Sequence, residues 1–198
     1  MDTTLPDFHP GAALVVVDMQ NDFAHPRGSL FVAGGDALVA PINAMMRAAR
    51  TGGATVVLTQ DWHPSVTPHF DTDGGPWPVH CVAGTWGAEL VEGLSADADA
   101  VVRKGTRGED GYSAFSMRDT RSGDDVPTGL AGLLRERGVD SVVVVGLAAD
   151  VCVAATAQDA AAAGFDTTVA WWATRPVHPD RDPLVRADLA TAGVAVVS

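Results

Sequence analysis

The sequence predicts an α/β fold of three layers, in which helices cover both faces of a doubly wound, mainly parallel sheet of six strands. Six short runs rich in Val, Ala and Leu recur along the chain. Most of them are apolar at every position rather than at alternate positions, as expected of strands that are covered on both faces. Segments with helical spacing separate the runs, and repeated strand–helix–strand units build a sheet of this kind.

Each predicted element is bounded by residues that end regular structure. The predicted strands cover residues 13–17, 54–58, 100–102, 141–145, 167–171 and 193–197. The predicted helices cover residues 42–49, 129–137, 153–163 and 183–192. Glycine follows directly or closely on each helix, and Pro183 opens the last one, which is the usual placing of both residues at helix ends.

Two long connections interrupt the alternation of strands and helices. Residues 61–94 and 104–125 are rich in Gly, Pro and polar residues, and each segment follows directly on a strand. Long connections inside a compact domain usually carry function. Since no linker or internal repeat divides the chain, we expect one domain over residues 1–198.

Composition excludes several classes of protein. The 198 residues include 25 acidic and 13 basic side chains, for a net charge of -12, which argues against a nucleic-acid partner. An apolar share of 46% is typical of a folded chain, and no apolar run approaches the ~20 residues that cross a membrane. Two cysteines and an acidic start without a leader pattern predict a reducing, cytoplasmic compartment.

Four chemically useful residues follow four predicted strands. They are Asp18, Asp61, Lys104 and Cys152, the last reached through a short turn. In open α/β sheets the ligand site lies beyond the carboxyl ends of the strands. We therefore expect these four side chains to lie at one edge of the sheet.

Each of these residues also has a purely structural interpretation. Cys152 could be a small buried apolar residue, which is what we expect of Cys81. However, Asp150 is a good N-cap residue, and a cysteine at the start of a helix tends to ionise to the thiolate. Lys104 is the only lysine in the chain, so it is either an accident of an arginine-rich composition or an ammonium beside an anion. Asp18 could close a turn, or act as a general base and acid if it pairs with Lys104.

A carboxylate and three imidazoles lie within a short stretch of the first long connection. They are Asp61, His63, His69 and His80. In extended backbone Asp61 and His63 point to the same side, so both can reach one ion. This mixed set suits zinc, iron or manganese better than calcium, although histidines in loops are often only polar surface groups. The spacing therefore predicts one divalent metal ion (Zn, Fe or Mn).

Seven motifs, in this order, resemble those of the nicotinamidase branch of the isochorismatase-like cysteine hydrolases. They are DMQNDF at 18–23, TQDWHP at 59–64, HF at 69–70, WPVHC at 77–81, RKG at 103–105, YSAF at 112–115 and GLAADVCV at 146–153. The resemblance covers the chain from about residue 11 to its end. It implies the isochorismatase-like hydrolase fold.

The resemblance also implies roles for individual residues. Cys152 is the implied nucleophile, with Asp18 and Lys104 completing a catalytic triad. The implied metal ligands are Asp61, His63, His69 and His80. A cis peptide bond is implied just before Ala148, with the N–H groups of Ala148 and Cys152 forming an oxyanion hole. The residues implied to line an aromatic substrate pocket are Phe23, Trp77 and Tyr112.

Hydrolysis of nicotinamide to nicotinic acid and ammonia, and of pyrazinamide likewise, is the activity that the resemblance implies, within NAD salvage. Ala149 and Val151 depart from the residues common in the family's nucleophile motif, which leaves substrate preference open. An amidohydrolase of carbamoyl or ureido substrates would keep the triad without needing the metal residues. A non-catalytic metal-binding or small-ligand-binding module is a further alternative. We expect no nucleic-acid or membrane partner, and a monomer or a homo-oligomer such as a dimer.

Overall fold

A six-stranded parallel sheet forms the centre of the computed structural model, which describes residues 5–198. Residues 1–4, on which the expectation of no leader partly rests, lie outside the described residues. The strands of this sheet are β1 (Ala12–Val17), β2 (Thr55–Asp61), β3 (Ala100–Lys104), β6 (Ser141–Leu147), β7 (Asp166–Arg175) and β8 (Ala195–Val197). Their order across the sheet is β3-β2-β1-β6-β7-β8. Two further strands, β4 (Ser116–Arg118) and β5 (Asp125–Pro127), form a separate antiparallel pair.

Helices cover both faces of the sheet, so the predicted three-layer α/β/α fold is confirmed. The helices are α1 (Asn21–Ala24), α2 (Val39–Gly52), α3 (Leu130–Glu136), α4 (Ala154–Ala162) and α5 (Asp182–Thr191). The buried face of α2 belongs to one apolar cluster, and those of α3, α4 and α5 belong to a second cluster. Each cluster fills the space between the sheet and one helical layer.

Strand β1 shows why the predicted strands are apolar at every position. Leu14 and Val16 belong to the cluster on the α2 side, whereas Ala13 and Val15 belong to the cluster on the opposite side. All four are buried, because β1 lies between β2 and β6 in the middle of the sheet. A polar residue on either face would lose its water without gaining a partner.

The strand order reverses direction at β1. From β1 the chain proceeds outward through β2 and β3, and it then returns to β6 on the other side of β1. Such a switch point opens a crevice beyond the carboxyl ends of the two central strands. The loops that follow β1 and β6 meet there.

The hairpin of β4 and β5 begins inside the second long connection, residues 104–125, and ends two residues beyond it, where the sequence predicts no regular structure. Each of its strands has three residues, too few to show a periodic pattern. The first long connection contains only two short 3₁₀ turns between Asp61 and Ala100, Asp71–Asp73 and Trp86–Ala88. Across residues 5–198, no helix is both long enough and apolar enough to cross a bilayer.

Candidate active site

The carboxyl ends of β1, β2 and β3 bring a buried lysine between two buried carboxylates. The Lys104 Nζ atom lies 2.7 Å from Asp18 Oδ2 and 2.8 Å from Asp61 Oδ1. It also donates to the backbone oxygen of Tyr112 at 3.1 Å. Lys104 is only 1% exposed. A buried ammonium is tolerated where anions surround it, so Lys104 is part of an ion-paired cluster rather than a surface accident.

Cys152 reaches the same cluster from the opposite side of the switch point. It lies in a single π-helical turn, Ala149–Val153, between β6 and α4. Its Sγ lies within 4.8 Å of carboxylate oxygens of both Asp18 and Asp61. The structure therefore brings together the predicted triad residues Asp18, Lys104 and Cys152.

The turn that carries Cys152 differs from the predicted helix start. The Asp150 carboxylate accepts the backbone N–H groups of Val177, at 2.8 Å, and His178, at 2.9 Å, so it does not cap the helix. The residue before the turn is Ala148, and the peptide bond between Leu147 and Ala148 is cis, as the resemblance implies. Asp150 instead ties the turn to the segment after β7.

Burial governs the protonation of the thiol. It raises the pKa of Cys152 well above the ordinary value; the Lys104 ammonium opposes the shift, and the Asp18 and Asp61 carboxylates add to it. This direction favours the neutral thiol, whereas the sequence led us to expect that a helix start would favour a thiolate. Burial also raises the pKa of Asp18 despite the attraction of Lys104. Burial opposes the charge on Lys104 as well, but Asp18 and Asp61 outweigh it and raise the pKa of this lysine.

The three predicted histidine ligands lie next to this cluster. One ring nitrogen from each of His63, His69 and His80 lies within 4.8 Å of the other two. Asp61 Oδ2 is 3.8 Å from His63 Nε2 and 3.8 Å from His80 Nε2. Burial lowers the pKa of His69 and of His80, which favours the neutral rings that a metal requires.

This arrangement fits a divalent metal ion. Both ring nitrogens of His63 are buried, and neither has a hydrogen-bond partner within the described part of the chain. Such orphaned groups are costly unless something satisfies them. Three imidazoles and a carboxylate are a donor set that divalent transition metals accept.

An apolar cavity connects the histidines with the cysteine. Phe23, Trp77 and Tyr112, which we expect to line a substrate pocket, all line this cavity, and so do His69, His80 and Cys152. The Trp77 Nε1–H group donates to the Tyr112 hydroxyl at 3.0 Å, and the Phe23 ring packs against His80 with ring centres 5.3 Å apart. The cavity is thus a slot lined by aromatic rings, a thiol and imidazoles.

Comparison with known protein families agrees with this site. Residues 12–198 match the family model described as the isochorismatase domain. The chain belongs to the isochorismatase family.

Several relatives of this isochorismatase-family chain are nicotinamidases or pyrazinamidases. The nicotinamidase of Acinetobacter baylyi is 45% identical over 175 residues, which cover 79% of this chain and 78% of the relative. Among solved structures, PnC1 from L. infantum in complex with nicotinate is 42% identical, with a TM-score of 0.89 over 98% of this chain and 96% of its own. The pyrazinamidase of Pyrococcus horikoshii in complex with zinc is 37% identical, with a TM-score of 0.84 over 96% of this chain and 99% of its own.

Two buried residues of the isochorismatase-family site were missed by reasoning from the sequence. The Thr59 hydroxyl donates to Asp18 Oδ1, and its oxygen accepts the Asp18 N–H at 3.1 Å. The Gln20 amide accepts the Asp61 N–H at 2.8 Å and donates to the Asp61 carbonyl at 2.7 Å. The feature of the sequence that could have indicated both residues is a polar side chain within or just after an apolar strand.

The backbone of Gly105 lies close against the His63 ring. Gly105 has φ +73°, and a Cβ atom at this position would lie 2.5 Å from His63 Nδ1. A side chain here would need both an unfavourable backbone conformation and a displaced imidazole. Glycine at position 105 therefore leaves room for the His63 ring beside the other two histidines.

Proposed function

We propose that this chain is a nicotinamidase, an amidohydrolase that converts nicotinamide, and also pyrazinamide, to the corresponding acid and ammonia in NAD salvage. The observation that carries the proposal is the single cavity that joins the Cys152 thiol to the His69 and His80 rings. A flat aromatic amide can span such a slot, with its carboxamide at the thiol and its ring nitrogen at the imidazoles. The nicotinamidases and pyrazinamidase among its relatives support the same substrate class.

The proposed reaction begins with the thiol of Cys152. Asp18 removes the thiol proton as the sulfur attacks the carboxamide carbon, and Lys104 stabilises the ionised form of the site. The carbonyl oxygen becomes an oxyanion, which the N–H groups of Ala148 and Cys152 are proposed to bind. Each such donor contributes about 3 kcal/mol to the transition state.

Asp18 then returns its proton to the leaving group. The carbon–nitrogen bond breaks, ammonia departs, and a thioester joins Cys152 to the acyl group. Asp18 next removes a proton from water, whose oxygen attacks the thioester carbon. The carbon–sulfur bond breaks, the acid is released, and the thiol regains its proton.

Orientation of the ring is the task of the rest of the cavity. Phe23, Trp77 and Tyr112 would hold the ring plane, so that the carboxamide meets the thiol in a fixed geometry. The proposed metal ligands are Asp61, His63, His69 and His80. A bound zinc, iron or manganese ion would supply a Lewis acid for the ring nitrogen.

The test is ammonia release from nicotinamide and from pyrazinamide by the metal-loaded protein. We expect Cys152→Ala to lower kcat by about a thousandfold or more, because the nucleophile is gone. Cys81→Ser is the matched control: Cys81 is fully buried, its Sγ lies 3.8 Å from the Gly87 oxygen, and we expect turnover to be unchanged. Absence of ammonia release by the unmodified protein, or equal release by Cys152→Ala, would contradict the proposal.

Hydrolysis of carbamoyl or ureido substrates is the main alternative. Such an enzyme would need the triad but not the three clustered histidines, which favour nicotinamide instead. A carbamoyl amino acid in the same assay should give a much lower kcat/KM than nicotinamide, and the reverse order would favour the alternative. The buried Asp18–Lys104 pair beside Cys152 argues against a module without catalytic activity.

The proposal includes one catalytic domain in the cytoplasm, as a monomer or a homo-oligomer. Both cysteines, Cys81 and Cys152, are free thiols, which supports a reducing compartment.

A further inference from the structure

We propose that Asp110 is a positioning residue that orients His69 toward the metal ion, an inference that rests on the metal site of the proposed function. Asp110 Oδ1 lies 2.7 Å from His69 Nδ1. The same oxygen accepts the N–H of Gly111 at 2.8 Å, which fixes the direction of the carboxylate. Asp110 touches neither the thiol nor the lysine in the described contacts, so its action on the site passes through His69.

The chemistry of the acceptor determines which nitrogen of His69 is free. A carboxylate only accepts, so His69 Nδ1 carries the proton and Nε2 keeps its lone pair. His80 is held in the same tautomer, because its Nδ1 lies 2.6 Å from the Pro78 carbonyl oxygen, which also only accepts. A metal-bound histidine that donates its other N–H group to a carboxylate or a carbonyl is both better oriented and more basic.

The three histidines differ in the hydrogen bonds that their rings make within the described residues. His80 is held by a backbone carbonyl, whereas both nitrogens of His63 lack a partner in residues 5–198. His69 is hydrogen-bonded to the Asp110 carboxylate at 2.7 Å, whereas the Asp61 carboxylate lies 3.8 Å from His63 and from His80. The Asp110 charge would also offset part of the charge of a divalent ion. Of these supports, Asp110 is a side chain that a point substitution can remove without moving the backbone.

The β4–β5 hairpin holds Asp110 in place. The Asp110 N–H donates to the Arg118 carbonyl at 2.8 Å, and the Arg118 N–H donates back to the Asp110 carbonyl. Arg118 is the last residue of β4, opposite Asp125 on β5. The inference thus gives a role to a hairpin whose strands form a pair separate from the main sheet.

The exposure of Asp110 separates this role from a role in folding. Its side chain is 46% exposed, so its removal opens no buried cavity, but it leaves the N–H group of His69, which is only 3% exposed, without its acceptor. A residue that served only the fold would change the unfolding temperature when replaced, whereas a positioning residue changes metal affinity. The two readouts can be measured on the same samples.

The experiment is a zinc titration of metal-free protein against a chromophoric chelator, without any substrate. We expect Asp110→Ala to weaken zinc binding by about 10- to 100-fold, and Asp110→Asn, which keeps an acceptor oxygen but loses the charge, to fall in between. Glu109→Gln is the matched control: it removes the same charge one residue away, where Glu109 contacts the Arg107 N–H at 2.8 Å, and zinc affinity should not change. Asp110→Asn keeps an acceptor for the His69 N–H group, so the unfolding temperatures of the metal-free unmodified, Asp110→Asn and Glu109→Gln proteins should agree. A loss of zinc affinity in Asp110→Asn is then not a loss of folding.

A second readout is the visible spectrum of the Co²⁺-loaded proteins, which should change in Asp110→Ala but not in Glu109→Gln. Equal zinc affinity for Asp110→Ala and the unmodified protein overturns the inference, as does an equal loss in Glu109→Gln. Because no amide is present, a protein that binds zinc with the expected order of affinities but releases no ammonia contradicts the proposed function alone. A protein that binds no zinc overturns the inference, whereas ammonia release from nicotinamide tests the proposed function separately.

Discussion

At the scale of single residues, one threonine hydroxyl holds the proposed base in its working conformation. Asp18 has φ +47°, in the left-handed region that side chains other than glycine rarely occupy. Thr59 binds both the N–H and the carboxylate of Asp18, so it holds the backbone and the side chain of this strained residue together. Lys104 binds the second carboxylate oxygen at 2.7 Å.

The first prediction concerns Thr59→Val, which keeps the branched shape but removes both hydrogen bonds. Leaving a buried donor or acceptor unpaired costs about 1–3 kcal/mol, so we expect kcat for nicotinamide to fall about 5- to 100-fold. KM should change little, because Thr59 is not among the residues that line the cavity. Steady-state kinetics measure both constants.

Thr59→Ser tests whether the hydroxyl is the cause. Serine restores the donor and the acceptor, so kcat should recover most of its value. If Thr59→Ser is as slow as Thr59→Val, the lost methyl packing rather than the hydrogen bonds explains the effect, and the prediction is wrong.

The sequence predicts which side chains would meet at the site but not the residues that support them. Asp18, Asp61 and Lys104 each end or follow an apolar strand, so the rule for open α/β sheets is enough to bring them to one edge. Thr59 and Asp110 act across strands and loops, through pairings that only the register of the folded chain creates. Their chemistry is visible in the sequence, but their partners are not.

At the scale of elements, the Asp99 side chain contacts β2, α2 and the residue after α3, near the amino end of β2 and away from the site. Its Oδ2 accepts the Val56 N–H of β2 at 2.8 Å and an Arg50 N–H of α2 at 2.7 Å. Its Oδ1 lies 3.2 Å from Arg137, which follows α3. Partial burial opposes ionisation, but the Val56 N–H and the guanidinium groups of Arg137 and Arg50 outweigh it and lower the pKa of Asp99.

The second prediction is that Asp99→Asn lowers the free energy of unfolding by about 1 kcal/mol at pH 7. A carboxyl with a lower pKa in the folded protein stabilises the fold above its unfolded pKa of about 3.9. This contribution disappears as the pH falls through the folded pKa. Urea unfolding at pH 7 and at lower pH should therefore show the two proteins converging on acidification.

Asp97→Asn provides the control for this prediction. Asp97 also contacts Arg50, at 3.2 Å, but its side chain is 73% exposed, so its replacement should change stability by less than about 0.5 kcal/mol. A constant difference between Asp99→Asn and the unmodified protein at every pH would contradict the assigned role of the charge. So would equal effects at both positions.

Regular elements were predictable where burial imposes a pattern on several consecutive residues. All six strands of the main sheet and the helices α2 to α5 fall at their predicted places, with ends that differ by a few residues. The hairpin and the π-helical turn before α4 were not predictable. Asp150 resembles an N-cap in the sequence, but its carboxylate is engaged by the backbone of residues 177 and 178, a contact between distant segments.

At the scale of the whole molecule, the central strands and the connection between β2 and β3 differ in how much regular structure constrains them. The strands β1 and β6 are hydrogen-bonded on both sides and buried on both faces. The connection between β2 and β3 has only two short 3₁₀ turns among its regular elements, yet it supplies His63, His69 and His80. The paired hydrogen bonds of His63 with Cys81 and Ala83 lie within this connection, and its contacts with the rest of the molecule include the hydrogen bond from the Cys81 N–H to Asp22.

This unevenness leads to the last prediction, on metal removal. Because the proposed ligands come from the two ends and the middle of the segment 61–80, a bound ion would cross-link a stretch whose only regular element after β2 is the short 3₁₀ turn Asp71–Asp73. Removing it with a chelator should raise amide hydrogen exchange within residues 62–94, while the strands β1 and β6 keep their protection. Exchange followed by mass spectrometry on zinc-loaded and chelated protein measures the two regions together, and reloading with zinc should reverse the change. An equal rise in exchange along the whole chain would mean that the ion supports the entire fold, and no rise within 62–94 would mean that it does not order this segment.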